Sequence, residues 1–275
     1  MNSARRRRLT IASVAGFAKV ICCVACGLGA ACSTERGVSV SVLVDMSSSV
    51  KAETQQFYVT AIGDNILSGL DAKDALEVRP IDSSSEQRSE ALYSVDLTRQ
   101  NFARKGDGFA KAPEKVAARV REFIASERTK LEEALRVAAE RRRAFSNQTD
   151  IIGALNGLGA RTGDDQQRPR VIVLFSDMIQ ESLELDLRRY ADEHEDEAAR
   201  KVDKFQKLGR LPALKGATVV VVGAGEGETA SAVAFRAVRT FWLEFFGRAG
   251  ATLTEGDYGY RTQTRIPDVM ARLRH

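Results

Sequence analysis

Two uninterrupted apolar runs, Val171-Ile172-Val173-Leu174-Phe175 and Val219-Val220-Val221-Val222, constrain this chain more than any other feature. Strands that read as continuously apolar are buried on both faces, which is the condition of a parallel sheet covered by helices. A third run, Val38-Ser39-Val40-Ser41-Val42-Leu43-Val44, alternates and then turns fully apolar. Helical spacing fills the intervals, at Ser49 to Leu70, Thr149 to Leu158, about Leu183 to Leu208, about Ser231 to Gly247 and after Pro267. Further strands are expected at Leu76 to Ile81, Ala91 to Leu97 and Ala251 to Glu255. The first two of these are joined by the short polar turn Asp82-Ser83-Ser84-Ser85 and must therefore run antiparallel. The expected class is α/β: a doubly wound, mostly parallel sheet with one short antiparallel strand and helices on both faces. With 44% hydrophobic residues and five prolines over 275 positions, the chain holds material for one sizeable core.

The amino terminus stands apart from that core. Arg5 to Arg8 precede an apolar run interrupted by Lys19 and ending in the small residues Gly29-Ala30-Ala31, the outline of an export signal over 1–31. A spanning helix needs roughly 20 apolar residues, and Lys19 leaves two pieces that are each too short. This segment holds five of the 41 basic residues and none of the 37 acidic ones, so the remainder carries 36 against 37, a net of −1. The basic pI belongs to the targeting segment, and nucleic-acid binding is not indicated. All four cysteines, Cys22, Cys23, Cys26 and Cys32, fall in the first 32 residues, so the domain that follows uses neither disulfides nor thiolate-bound metal. Leu28-Gly29-Ala30-Ala31-Cys32 resembles the lipobox of bacterial lipoproteins, with its leucine one place further from the cysteine than usual. That resemblance implies acylation at Cys32, a linker or attachment segment over 32–37, and a domain over 38–275 held at the periplasmic side of the cell envelope. Plain cleavage after Ala31 is the alternative. From Ser33 to Gly37 the linker spans at most roughly 17 Å, which keeps such a domain close to its membrane.

Within the domain, Pro113 to Phe145 reads as one long helix inside a charged insertion over about 100–147, with Val116, Val120, Phe123, Ile124, Leu131, Leu135 and Ala138 on one stripe. Its opposite face is dense in Arg, Lys and Glu, a solvated face or else a protruding arm. Phe241, Trp242, Phe245 and Phe246 are expected to pack on the sheet, the alternative being that some aromatic surface is left for a partner. Gly223-Ala224-Gly225-Glu226-Gly227-Glu228 follows a strand, but its glycines are misplaced for dinucleotide binding, no lysine follows, and two glutamates would repel phosphate.

Ligands of a doubly wound sheet sit at the carboxyl ends of its strands, where the strand order reverses. The polar residues expected there are Asp45, Ser47 and Ser49 after the first strand, Ser176 and Asp177 after the strand at Val171, and Thr149-Asp150 opening a helix. Oxygen donors of this kind suit hard divalent cations. On an irregular loop, Asp45, Ser47 and Ser49 at every second position can turn their side chains the same way.

Val44-Asp45-Met46-Ser47-Ser48-Ser49 resembles the DxSxS signature of von Willebrand factor A domains. Thr149 ahead of Ile151-Ile152-Gly153-Ala154-Leu155, and Val171 to Asp177, resemble the same family's other two site segments in the same order. The resemblance implies a metal-ion-dependent adhesion site in which Ser47, Ser49 and Thr149 bind the ion directly and Asp45 and Asp177 act mostly through water. Mg2+ is expected ahead of Ca2+ or Mn2+, with the open position filled by an acidic residue of a partner protein. Met178 departs from the glycine the family often has after the second aspartate.

No catalytic residue is expected. Serine hydrolysis needs a histidine base, and only His194 and the terminal His275 are present; their scarcity also argues against histidine-ligated zinc. An aspartyl-phosphate mechanism would want a second aspartate where Ser47 stands. The competing readings are a metal-dependent hydrolase using the same oxygens and a structural domain of this family with an empty site.

Overall fold

The computed structural model describes residues 36–47, 50–83, 90–102, 112–143, 148–160, 168–188, 195–225 and 232–275. The export segment, Cys32, Ser49 and His194 lie outside the described residues.

Six strands form one sheet: β1 (Ser39–Asp45), β2 (Ala75–Ile81), β3 (Tyr93–Asp96), β4 (Arg170–Phe175), β5 (Ala217–Val222) and β6 (Tyr258–Gly259). Their spatial order is β3-β2-β1-β4-β5-β6, and only the β2–β3 pair is antiparallel. This is the doubly wound α/β sheet expected from the apolar runs, with its order reversing between β1 and β4.

Among the described residues, six α-helices cover both faces. On one side α1 (Ala52–Ala61), α2 (Ala112–Arg143) and α6 (Ile266–Arg274) pack on Val40, Val42, Val78, Val171 and Val173 through residues such as Tyr58, Leu131, Leu135 and Met270. On the other, α3 (Ile151–Gly159), α4 (Glu195–Lys207) and α5 (Ala232–Arg248) pack on Leu43, Ile172, Leu174, Val219 and Val221. The division follows from strand alternation: neighbours along β1 or β4 point to opposite faces, so a continuous apolar run feeds both layers.

The long charged helix is 32 residues. Its stripe is buried at Val120, Ile124, Leu131, Leu135 and Ala138. The opposite face carries exposed pairs such as Arg136 with Glu133 and Glu140, which solvent screens. It is a covering helix with a solvated back over this stretch. Phe241, Trp242, Phe245 and Phe246 are all fully buried and meet one another, as packing on the sheet requires, and the alternative of a leftover aromatic surface does not hold.

Three boundaries differ from the sequence reading. Leu183 to Asp186 is not helical: Glu181 and Asp186 form an isolated antiparallel bridge, and the Ser182 hydroxyl accepts from the Leu185 N–H. Only Thr252 of the segment expected at Ala251 to Glu255 bridges β5, and the strand proper comes later, at Tyr258. Helix α3 begins at Ile151 rather than Thr149, because the Asp150 carboxylate caps it by accepting from the Gly153 N–H at 2.9 Å.

At the amino end of the sheet the Val38 N–H donates to Asp74, whose carboxylate also takes Arg274 of α6. Arg36 N–H donates to the Arg274 carbonyl at 3.1 Å, so the chain enters β1 beside the end of its last helix.

Candidate metal centre

The carboxyl ends of β1 and β4 lie side by side at the point of reversal, with Val44 opposite Phe175, so Asp45 and Ser176 emerge together. Asp45 is fully buried. One carboxylate oxygen accepts the Ser47 N–H at 2.9 Å, and the other accepts the Ser176 hydroxyl at 3.0 Å. Ser176 Oγ in turn accepts the Met178 N–H at 3.0 Å. A single hydroxyl therefore couples the aspartate of one strand to the loop leaving the next. Burial pushes the Asp45 carboxyl above the usual carboxylate range, and hydrogen bonds from Ser47 and Ser176 only partly oppose this. No lysine or arginine among the described residues pairs with it.

Asp177 follows at once, and its carboxylate accepts the Ile179 N–H at 2.9 Å. Thr149 is buried, and its carbonyl accepts the Glu181 N–H at 2.8 Å, which ties the loop before α3 to the loop after β4. Of the five residues singled out from sequence, the described structure joins Asp45 to Ser47 and, through Ser176, to the segment that carries Asp177, and fastens the Thr149 segment to the loop after β4; Ser49 is not described.

Three further residues shape the crevice. Gln180, buried, accepts the Ile152 N–H at 3.1 Å and donates to Asp150 at 3.0 Å, locking the start of α3. Glu181 is held above the ordinary carboxylate range by burial, with Arg188 opposing and the charges of Asp186 and Asp45 adding to it. A third carboxylate is therefore within electrostatic reach of Asp45, and nothing in the spacing of the sequence marks it. The Tyr258 hydroxyl is buried and has no partner among the described residues; burial, and then the charge of Asp177, raise its pKa.

Met178 resolves the missing glycine. Its φ of 68° lies in the left-handed region, the only described residue other than glycine to do so. The loop therefore adopts the backbone that glycine would favour, at a cost of about 1–2 kcal/mol for a side-chain-bearing residue. Two contacts hold it there. Its side chain is fully buried, and its carbonyl accepts the Trp242 indole N–H at 2.9 Å. Removing a buried methionine side chain costs about 2–5 kcal/mol. Met178→Gly is thus expected to destabilise the protein by a net of about 1–3 kcal/mol despite the relieved strain. Chemical denaturation checks this, and a stabilised variant would show that strain outweighs packing.

The donor set can be tested for its fit to an ion. Among the described residues, no group of three or more His, Cys, Asp or Glu side chains is arranged to hold a metal. An ion at this crevice would need hydroxyls and water beside the carboxylates, a hard-cation environment. The Asp45 oxygens accept the Ser47 N–H, the Ser47 hydroxyl and the Ser176 hydroxyl, which still leaves a lone pair for water or an ion. The residues fit.

No protein-family model matches the chain, and no curated protein matches it. Among solved structures it is similar to proximal thread matrix protein 1 from the mussel byssus, at 12% identity and a TM-score of 0.40, over 87% of this chain and 47% of that one. The chain spans about half the length of that protein. It is similar to BatB from Bacteroides thetaiotaomicron at 13% identity and a TM-score of 0.40, over 86% of this chain and 98% of that one. It is also similar to the manganese-loaded TRAP protein of Plasmodium vivax, at 14% identity and a TM-score of 0.39, over 86% and 72%.

Proposed function

We propose that this chain is a divalent-metal-dependent protein-binding module of the von Willebrand factor A type, held at the cell envelope, that binds a partner's acidic group and does not turn it over. The observation carrying this reading is Asp45: a fully buried carboxylate at the switch point of a doubly wound sheet, met by Ser47 and Ser176 but by no cationic side chain among the described residues. A buried charge of that kind calls for a counter-charge. A bound Mg2+ would supply it and offer an open position to a carboxylate oxygen. The protein's own residues do the rest. Ser47 and Thr149 offer hydroxyls, Asp45 and Asp177 orient the surrounding water, and Ser176 fixes Asp45 to the Met178 backbone.

Exposed apolar side chains support a protein as the partner. Four large hydrophobic residues are markedly exposed among those described, Leu183, Leu208, Val233 and Tyr260. Three of them, Leu183 after β4, Val233 at the start of α5 and Tyr260 after β6, belong to segments at the carboxyl end of the sheet. Apolar groups around a polar centre are the composition of a docking face.

The location reading rests on the sequence. With Cys32 acylated, the short linker enters the amino end of β1, so the crevice at the opposite end faces away from the membrane. No helix among the described residues is long and apolar enough to cross a membrane. Calorimetric titration of the purified chain with Mg2+ tests the central claim: saturable binding is expected, and Asp45→Ala should abolish it. An unmodified chain that takes up no divalent ion would overturn it.

A further inference from the structure

A cleft of about 720 Å3 lies over the amino-terminal halves of β1 and β2 and the carboxyl half of the antiparallel β3, the half of the sheet away from Asp45, within the size range of small-molecule sites. Its floor is unusual for a buried sheet because it is polar. Ser39 and Ser41 alternate onto one face of β1, and the strand register puts Arg170 beside Ser39 and Glu77 beside Ser41 on that same face.

Cations outnumber carboxylates along the cleft, with Arg99, Lys130, Arg168 and Arg170 against Glu77, Asp96 and Glu127. Asp96 takes Arg99 at 3.3 Å and Arg168 at 3.5 Å. Glu127 takes Lys130 at 2.6 Å, and Glu77 takes Arg79 from outside the cleft. Arg170 remains. Its guanidinium is half-buried, lines the cleft, and meets no carboxylate, carbonyl or hydroxyl among the described residues. Burial without a partner depresses its pKa, the mark of a cation that its surroundings leave uncompensated. Guanidinium presents a planar fork of donors that matches the oxygens of phosphate, and the serine hydroxyls offer donors to the oxygens the fork leaves over.

We propose that this cleft is a binding site for a phosphate group, with Arg170 as its anchor and Ser39 and Ser41 as hydroxyl donors. The excess of cations favours an anionic ligand, and Glu77 and Asp96, each already taken by an arginine, do not cancel it. The phosphate comes either free in solution or on the headgroup of a membrane lipid. The site is independent of the metal centre and stands on the opposite half of the sheet.

Two measurements on the purified full chain test it. Titration with inorganic phosphate should show saturable binding that Arg170→Gln weakens at least tenfold and that Arg170→Lys, which keeps the charge but loses the fork, weakens less. If free phosphate does not bind, co-sedimentation with phosphatidylcholine vesicles with and without phosphatidylglycerol identifies the lipid source. There, Arg170→Gln should reduce retention, and Arg272→Gln, at an exposed arginine, should not. Asp45→Ala should leave both results unchanged, so loss of the metal reading would not imitate loss of this one. Phosphate and vesicle binding that are both absent, or that both variants lower equally, would overturn the assignment.

Discussion

Asp45→Asn is expected to stabilise the metal-free protein at neutral pH while abolishing its stabilisation by Mg2+. The sign follows from the raised carboxyl. Where the folded-state pKa exceeds the unfolded value, the folded state holds a proton that the unfolded chain has released, so stability falls as pH rises between the two values and stays low above them. Asparagine cannot ionise and escapes that loss. Its amide keeps the main contacts, with the oxygen accepting from Ser47 N–H and the NH2 donating to Ser176 Oγ. With ion at a hundred times its Kd the natural chain should gain about 2.7 kcal/mol, and the variant nothing. The order of the two thermal midpoints therefore inverts on adding Mg2+. Metal affinity of the natural chain should also begin to fall, as the medium is acidified, at a higher pH than an ordinary aspartate would give, because the ion and the proton compete for Asp45. Midpoints for both chains, with and without Mg2+ across the acid range, check both statements; a metal-free variant less stable than its parent at neutral pH would refute the first.

The second large effect lies at Trp242. It is fully buried within a cluster of four aromatic rings, and its indole N–H holds the Met178 carbonyl. Trp242→Ala should cost about 3–5 kcal/mol. Trp242→Phe separates packing from the hydrogen bond, since it retains much of the ring and leaves a buried carbonyl without its donor, for about 1–3 kcal/mol. Because the Met178 loop carries Asp177, the phenylalanine variant should bind Mg2+ more weakly although it remains folded. Paired denaturation and calorimetry read the two effects separately. Unchanged Mg2+ affinity in Trp242→Phe would show that the indole supports the core alone.

Strands with continuous apolar sequence were legible because burial on two faces leaves no alternative pattern: β1, β4 and β5 fall where Val38, Val171 and Val219 open their runs. The edge was not. Ala251 to Glu255 has strand character, yet Thr254 turns its hydroxyl to Asp257 at 2.5 Å, and the chain leaves β5 before rejoining it at Tyr258. The stretch from about Leu183 was expected to be helical, but Leu185 and Leu187 turn inward while Leu183 is fully exposed, a tertiary division that local spacing does not report. At the candidate site, Asp45, Ser47 and Asp177 were visible because each ends or follows a strand. Gln180, Glu181 and Trp242 were invisible, because what recruits them is contact between distant segments. Met178 looked like a defect in sequence; the physical answer is a strained backbone held by packing on one side and an indole on the other.

The chain reaches β1 at Arg36, beside Arg274, while Asp45 ends the same strand at the other pole. A molecule tethered through its amino-terminal segment and gripped at the crevice would be loaded along the axis of β1. Such tension shears the strand against β2 and β4, and its hydrogen bonds to both neighbours must yield together rather than one after another. A central strand flanked on both sides over its whole length is the part of this sheet best placed to bear that load, so a bond made at the crevice would be expected to part before the domain unravels.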